Sequence, residues 1–349
     1  MFKNYSYDSI TEKHTFEINN VDLSVINGIR RTILTDIPII GFIGEEHSTI
    51  DIKNNNGPLH NEFMSHRLGL IPLNISETEL ENYNDNDLVF ELNEINNTKN
   101  TINITTNMIK GKRKGVDLTK KELDKIFPMN ETTKSHILIT RLRTEEHFSA
   151  NMSAVKRTAR FNASFSPVSL CNLSYIQDPK LSSKETDILN KERLYYKDEY
   201  GEPNKIKFDI ESINGLSHKY LFNKAIEIIV DKLNSLREKL LNNNIKIEKF
   251  QELENTIEFF IDNEDDTLGN IIQSIIHNNY IRKNVKYANS IKCNYIGYIC
   301  PHPLKYLLVI RITLEEQKNK EVFINFLESN CKTIIDYLNN VKLEFNKFK

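Results

Sequence analysis

Residues 61–73 read NEFMSHRLGLIPL, and this run predicts a short helix, a stop and an extended exit. Asn61 is placed to cap the helix start, and Glu62 sits favourably at the positive end of the helix dipole. Phe63 and Leu68 are the expected apolar anchors. Gly69 falls where a helix end favours a residue free to take positive φ. Pro72 forbids a further turn and biases Ile71 to an extended backbone. The chemistry lies in His66 and Arg67. An arginine near a helix C-terminus complements the dipole and can fork onto a carboxylate or backbone carbonyls. In isolation, such a pair reads as a solvated surface.

Towards the N-terminus, 15–20 reads as a strand, and Asp22 can cap a helix from 23 to about 35, ended before Pro38. Ile26, Ile29, Ile33 and Ile37 recur at helical spacing and predict a buried stripe. Arg30 and Arg31 flank it. Adjacent helical residues point about 100° apart, so the pair reads as two solvated arginines or as a basic edge offered to a partner. Residues 39–52 read as a strand bent at Gly41 and Gly44, followed by a turn.

Between 74 and 204 short alternating segments appear, at 88–92, 102–108, 136–142 and 161–175, and predict a mostly β inserted unit. Thr119 with Glu122 makes a capping box for a short helix. KGKRKG at 110–115 reads as a mobile, solvated basic turn, and 156–160 is a second basic run. A strand over 206–210 returns to the first unit. A long helix follows over 218–241, with Leu221, Phe222, Ile226, Ile229, Leu233 and Leu236 on one face. Residues 245–255 form a polar bridge, the expected linker.

At 256 the order begins again: a strand, a helix capped by Asp266 with Leu268 on its buried side, strands flanking Pro301-His302-Pro303, and a long helix carrying Ile334 and Leu338. Two unlike segments therefore share the order strand, helix, strands, long helix. Each has one apolar helical face in need of cover. The expectation is an internal pseudo-dimer in which the long helices bury each other.

The run at 61–73 resembles the signature of the third-largest subunit of eukaryotic RNA polymerase II and its bacterial α and archaeal counterparts. N-G-I-R-R at 27–31 stands where that family carries N-x-x-R-R, whose arginines face a large catalytic subunit. The resemblance therefore implies that Arg30, Arg31, His66 and Arg67 bind a partner. E-D-D-T-L-G-N at 264–270 and Y-I-C-P-H-P-L at 298–304 resemble the eleventh subunit, with Asp266 where the family usually has His. Thr267, Gly269, Asn270 and His302 then join the apolar stripe as residues of the pairing between halves. An extra stretch near 281–290 lengthens the following loop.

The implied fold is α+β: two α-type dimerisation modules paired in one chain. Their expected bounds are 1–73 with 205–244 for the first, 74–204 for the inserted unit, 245–255 for the linker and 256–349 for the second. The implied function is a non-catalytic assembly platform for a DNA-directed RNA polymerase. The implied partners are the second-largest and largest subunits and small accessory subunits, with no direct nucleic acid contact and no membrane. Fusion of the two subunits resembles large DNA viruses of eukaryotes. It implies a soluble intracellular protein of the virion and host cytoplasm.

Composition restricts the alternatives. Lys+Arg 46 against Asp+Glu 48 gives a net charge of -2, so there is no global basic field for nucleic acid. A free-standing nucleic-acid binder using 110–114 and 156–160 is the rival reading. The family's inserted domain can carry a cysteine cluster, but here it holds only Cys171, so no metal or cofactor is expected. No C-x-x-C pair, signal peptide or membrane-length apolar run occurs. His60 and His66 are spaced wrongly for a metalloprotease helix. Counting Asp262 as the first position of a calcium loop puts Thr267 and Gln273 where Gly and Glu are required.

Overall fold

A computed structural model describes residues 1–288, 290–316 and 318–348. Asn289 in the lengthened loop, Gln317 and Lys349 lie outside the described residues. The first module opens with strands β1 (Phe2–Asp8) and β2 (Lys13–Asn19) and helix α1 (Leu23–Thr35). The signature run forms α2 (Asn61–Gly69). Strands β3 (Val168–Tyr175) and β4 (Lys205–Ser212) complete a sheet of order β1-β2-β4-β3, and α3 (His218–Leu241) follows. The second module comprises β5 (Lys246–Lys249), β6 (Thr256–Asp262), α4 (Asp266–Ile276), β7 (Cys293–Ile299), β8 (Leu307–Leu314) and α5 (Lys320–Lys347). Its sheet order is β5-β6-β8-β7. The two sheets thus have one topology, and the fold is α+β, built from two such modules.

The helices form for the reasons the sequence offers. Asp22 caps α1 by accepting from the Ser24 N–H, and Ile26, Ile29 and Ile33 are fully buried. Ser217 caps α3 through the Tyr220 N–H, and its apolar stripe is buried along its length. Burying one Leu or Ile side chain contributes about 1.5–3 kcal/mol, so the stripes of α3 and α5 supply a substantial part of the core. One contiguous apolar cluster runs through both modules.

Several expectations are corrected. Residues 246–249 of the expected linker are β5, paired antiparallel with 257–260. Ile245 is buried, so the link is the first strand of the second sheet rather than a free tether. Strand β1, unread in the sequence, is its counterpart in the first sheet. β3 falls within the expected inserted unit but pairs with β4 in the first module. The strand expected over 39–52 breaks into Ile39–Gly41 and Ile50–Asn55. The basic run at 110–115 is no mobile turn: Lys110–Arg113 is a strand in a five-stranded sheet of the inserted unit. His147–Ser153, also unread, lies inside that sheet between Ile50–Asn55 and Leu88–Ile95. The capping box of Thr119 and Glu122 is present.

The signature helix differs in three details. Its N-cap position is His60, and Asn61 Oδ1 instead accepts from Asn55 Nδ2 at 2.8 Å. Phe63 is 63% exposed, and Met64 takes its place beside Leu68 in the core. Gly69 is absent from the positive-φ positions. Its lack of a side chain serves close approach instead, because a Cβ there would stand 2.9 Å from the Gly44 nitrogen.

Candidate functional site: the seam between halves and the arginine edge

The long helices α3 and α5 lie against each other, and α1 packs on α4. Where α3 meets α5, the rings of Phe222 and Phe345 stand 4.1 Å apart. Phe2, Phe16 and Phe208 close around them. Leu221, Phe222, Ile226, Ile229, Leu233 and Leu236 are all buried, as are Leu268, Ile334 and Leu338. Polar bonds seal the rim: Arg237 Nε donates to Glu328 Oε1 at 2.8 Å, and Lys342 Nζ to Glu227 Oε1 at 2.7 Å. At the second crossing Gly28 lets α1 approach α4, since a Cβ would stand 2.6 Å from Ile271 Cδ1.

Asp22 does more than cap α1. Its carboxylate accepts from the Ser274 hydroxyl at 3.0 Å and Asn278 Nδ2 at 2.7 Å, and its N–H donates to the Tyr337 hydroxyl. A half-buried ionic cluster spans the same seam. Asp36 accepts from Lys232 Nζ at 2.8 Å and from Arg160, whose Nη2 also reaches Asp265 at 2.8 Å. Lys232 stands 3.7 Å from Glu264. Burial alone would raise the Asp36 and Asp265 carboxyls, but bonds from Arg160, joined by Lys232 at Asp36 and by the Thr267 N–H at Asp265, hold both below the usual range. Burial pushes Glu264 up, with Lys232 opposing. The sequence offered no signal for this cluster: Arg160 lay in a basic run, and Lys232 on what reads as a solvated helix face.

The expected partner-binding residues divide. Arg30 is half-buried and donates from Nε to Asn27 Oδ1 at 3.0 Å. Arg31 is also half-buried, and its Nε donates to Thr267 Oγ1 at 3.0 Å, so it bonds across the seam. His66 is exposed, 3.9 Å from Glu45. Arg67 makes the fork its position allows, donating to the Ile139 carbonyl at 2.9 Å and the Leu138 carbonyl at 2.8 Å. It therefore braces the inserted unit while part of the side chain stays exposed.

The second-half residues divide as well. Thr267 and Leu268 are buried, and Thr267 bonds Arg31 across the seam. The N-cap of α4 is Asp265, which accepts from the Thr267 N–H, and Asp266 is the first helical residue. Gly269 packs on Leu308 and Tyr298 of its own module. Asn270 lines a cleft of about 920 Å³ between the start of α1 and α4. His302 is corrected: it is exposed, and its Nδ1 accepts from the Leu304 N–H within its own turn. Among the described residues it bonds nothing in the first half.

The basic runs are engaged within the chain. Lys156 Nζ donates to the Leu80 carbonyl at 2.6 Å, Arg157 pairs with Asp85 at 2.8 Å and Arg113 with Glu79 at 3.1 Å. Among the described residues no group of three or more His, Cys, Asp or Glu could hold a metal ion. Burial pushes the Cys171 thiol up to about 12, with Arg30 opposing. No helix among the described residues is long and apolar enough to cross a membrane.

Residues 15–233 match the family described as the RNA polymerase Rpb3/Rpb11 dimerisation domain, and residues 256–344 match a second family of the same description. The chain is 36% identical over 58 residues to the DNA-directed RNA polymerases II, IV and V subunit 3 of Arabidopsis thaliana, covering 17% of each chain. It is 38% identical over 58 residues to the RNA polymerase II subunit rpb3 of Dictyostelium discoideum, covering 17% of this chain and 18% of that one. A longer likeness, 22% over 275 residues, relates 64% of this chain to 78% of the RNA polymerases I and III subunit rpac1 of Dictyostelium discoideum. The stronger matches thus span under a fifth of those relatives' length. Because the first of the two family matches covers more than half of the chain and the second falls on the topologically equivalent module, the protein belongs to the RNA polymerase Rpb3/Rpb11 dimerisation domain family.

Proposed function

We propose that this chain is a non-catalytic assembly subunit of a DNA-directed RNA polymerase, with third-type and eleventh-type modules fused in one polypeptide. The observation that carries the reading is the seam, where two modules of one topology share one core through α3 and α5. The proposed division is 1–73 with 205–244, the inserted unit 74–204 lending β3 to the first sheet, and a second module over 245–349 that opens with β5. The paired halves form a platform on which the second-largest subunit and then the largest dock, with small accessory subunits. Such an obligate interface buries about 2,000 Å² or more. Arg30, Arg31, His66 and Arg67 mark the docking edge, and Phe63 adds an exposed apolar anchor beside them. A fused chain of this kind fits a viral polymerase working in the virion and host cytoplasm.

The test is capture of the large subunits by the tagged chain from its native source. Arg30→Ala with Arg67→Ala is expected to lower recovery about tenfold or more, as loss of interface arginines does. Because Arg67 also braces Leu138 and Ile139, Arg30→Ala alone serves as the variant that leaves this brace intact. Undiminished recovery with both variants sinks the docking edge. Tight, steeply salt-dependent DNA binding by the isolated chain would revive the rival reading.

A further inference from the structure

The outer strands of the two sheets are not alike. β5 is guarded by Lys246, Glu248 and Lys249, with Lys246 and Glu248 paired at 2.8 Å. Charges on an edge discourage another strand from adding to it. β3 exposes the polar Ser169, Asn172 and Ser174, and its Tyr175 ring is covered by Tyr195 at 4.9 Å. β7, CNYIGYI, is uncharged like β3 but exposes Tyr295 and Ile299.

Among the described residues β7 pairs only with β8. Among the described residues, the backbone groups of 294–299 that point away from β8 have no partner, except that the Tyr295 carbonyl takes the Cys293 thiol at 3.5 Å. Tyr295 is 47% exposed and Ile299 56%, and the turn beyond adds Leu304 at 84% and Tyr306 at 59%. The Tyr295 ring lies over Gly297, where it shields a residue that would otherwise weaken the strand. The end of β7 also adjoins the arginine edge. Burial raises the Tyr298 phenol and the Cys300 thiol, Asp266 adds to both shifts, and Arg31 is close enough to oppose them.

We propose that β7 is a docking edge to which another polymerase subunit adds an extended, uncharged, apolar-rich segment as a fifth strand. Main-chain hydrogen bonds would supply the pairing, and Tyr295 and Ile299 the side-chain contacts. The identity of the partner rests on the assembly reading. The occupant is uncharged because the edge offers no charge to pair with it.

Amide hydrogen exchange tests this on the full chain, free and within the assembly captured from the native source. The amides of 294–299 are expected to slow about tenfold or more in the assembly. Ile299→Lys is expected to abolish that protection while leaving the melting temperature of the free chain unchanged, because that side chain is exposed. An assembly in which these amides exchange as fast as in the free chain overturns this inference and spares the assembly reading. A tagged chain that captures no polymerase subunit overturns both. A free chain that sediments as a dimer with the same amides protected makes a second copy the occupant and overturns the assignment to another subunit.

Discussion

The two modules share one strand order and differ in what they insert. Each has an outer strand, β1 or β5, then β2 or β6, a short helix, two further strands and a long helix. Between the short helix and the next strand the first module carries residues 36–167. Among the described residues there, the second carries a π-helical turn, His277–Arg282, and no further helix or strand. That connection is where the topology tolerates growth, yet both versions of it still reach the seam: the first supplies Asp36 and Arg160, the second Asn278. The apolar part of the seam comes from the elements the two modules share, α3 against α5 and α1 against α4. The halves are unequal in charge as well: both cations of the ionic cluster, Lys232 and Arg160, come from the first, whereas Glu264 and Asp265 come from the second.

If the halves are one cooperative body, the largest effects come from the shared aromatic contact. Phe222→Ala and Phe345→Ala, one on each side, should each cost about 3–5 kcal/mol. Both should leave a single unfolding transition in urea followed by fluorescence and circular dichroism. Two separate transitions would break the equivalence drawn here. Gly28→Val should cost about 1–3 kcal/mol by forcing α1 off Ile271. Unchanged stability would mean that the two short helices do not depend on that approach.

The smallest effect is pH dependence beside the first module's outer strand, where His14 of β2 and His218 of α3 stack with centroids 4.1 Å apart and Tyr5 of β1 bonds His14. Burial lowers His14, and burial with the neighbouring His14 and Lys219 lowers His218 to about 4. The unfolded side chains take up protons near 6.5, and the folded ones only below that. This contribution to stability is therefore complete above 6.5 and is lost as pH falls towards 4. Calorimetry should show a melting temperature that is flat near neutrality and declines below it. His218→Gln should flatten the decline.

The helices were legible because apolar residues at helical spacing are a local signal. β1 and β5 were not, and they are one element missed twice. FKNYSYD and KIEK are polar edge strands without the alternation that half-burial imposes. His147–Ser153 was missed for a different reason: Ser149 and Ala150 are buried but small. Caps went astray by one residue where two capping types stand side by side, as at Asp265 and Asp266. For the site, the sequence and its resemblance singled out Arg31 and Arg67 as residues. Where their guanidinium groups go was decided by Thr267 and by the Leu138 and Ile139 carbonyls, which only tertiary structure brings near.

Phe2 touches both Phe222 and Phe345, at 5.7 and 5.1 Å. A contact so distant along the chain cannot form until the ribosome has made the later helix. Until then the apolar stripe of α3 waits uncovered in the nascent polypeptide. Folding of the first half must therefore stay provisional during translation, and a chaperone holding that stripe would find its natural moment there.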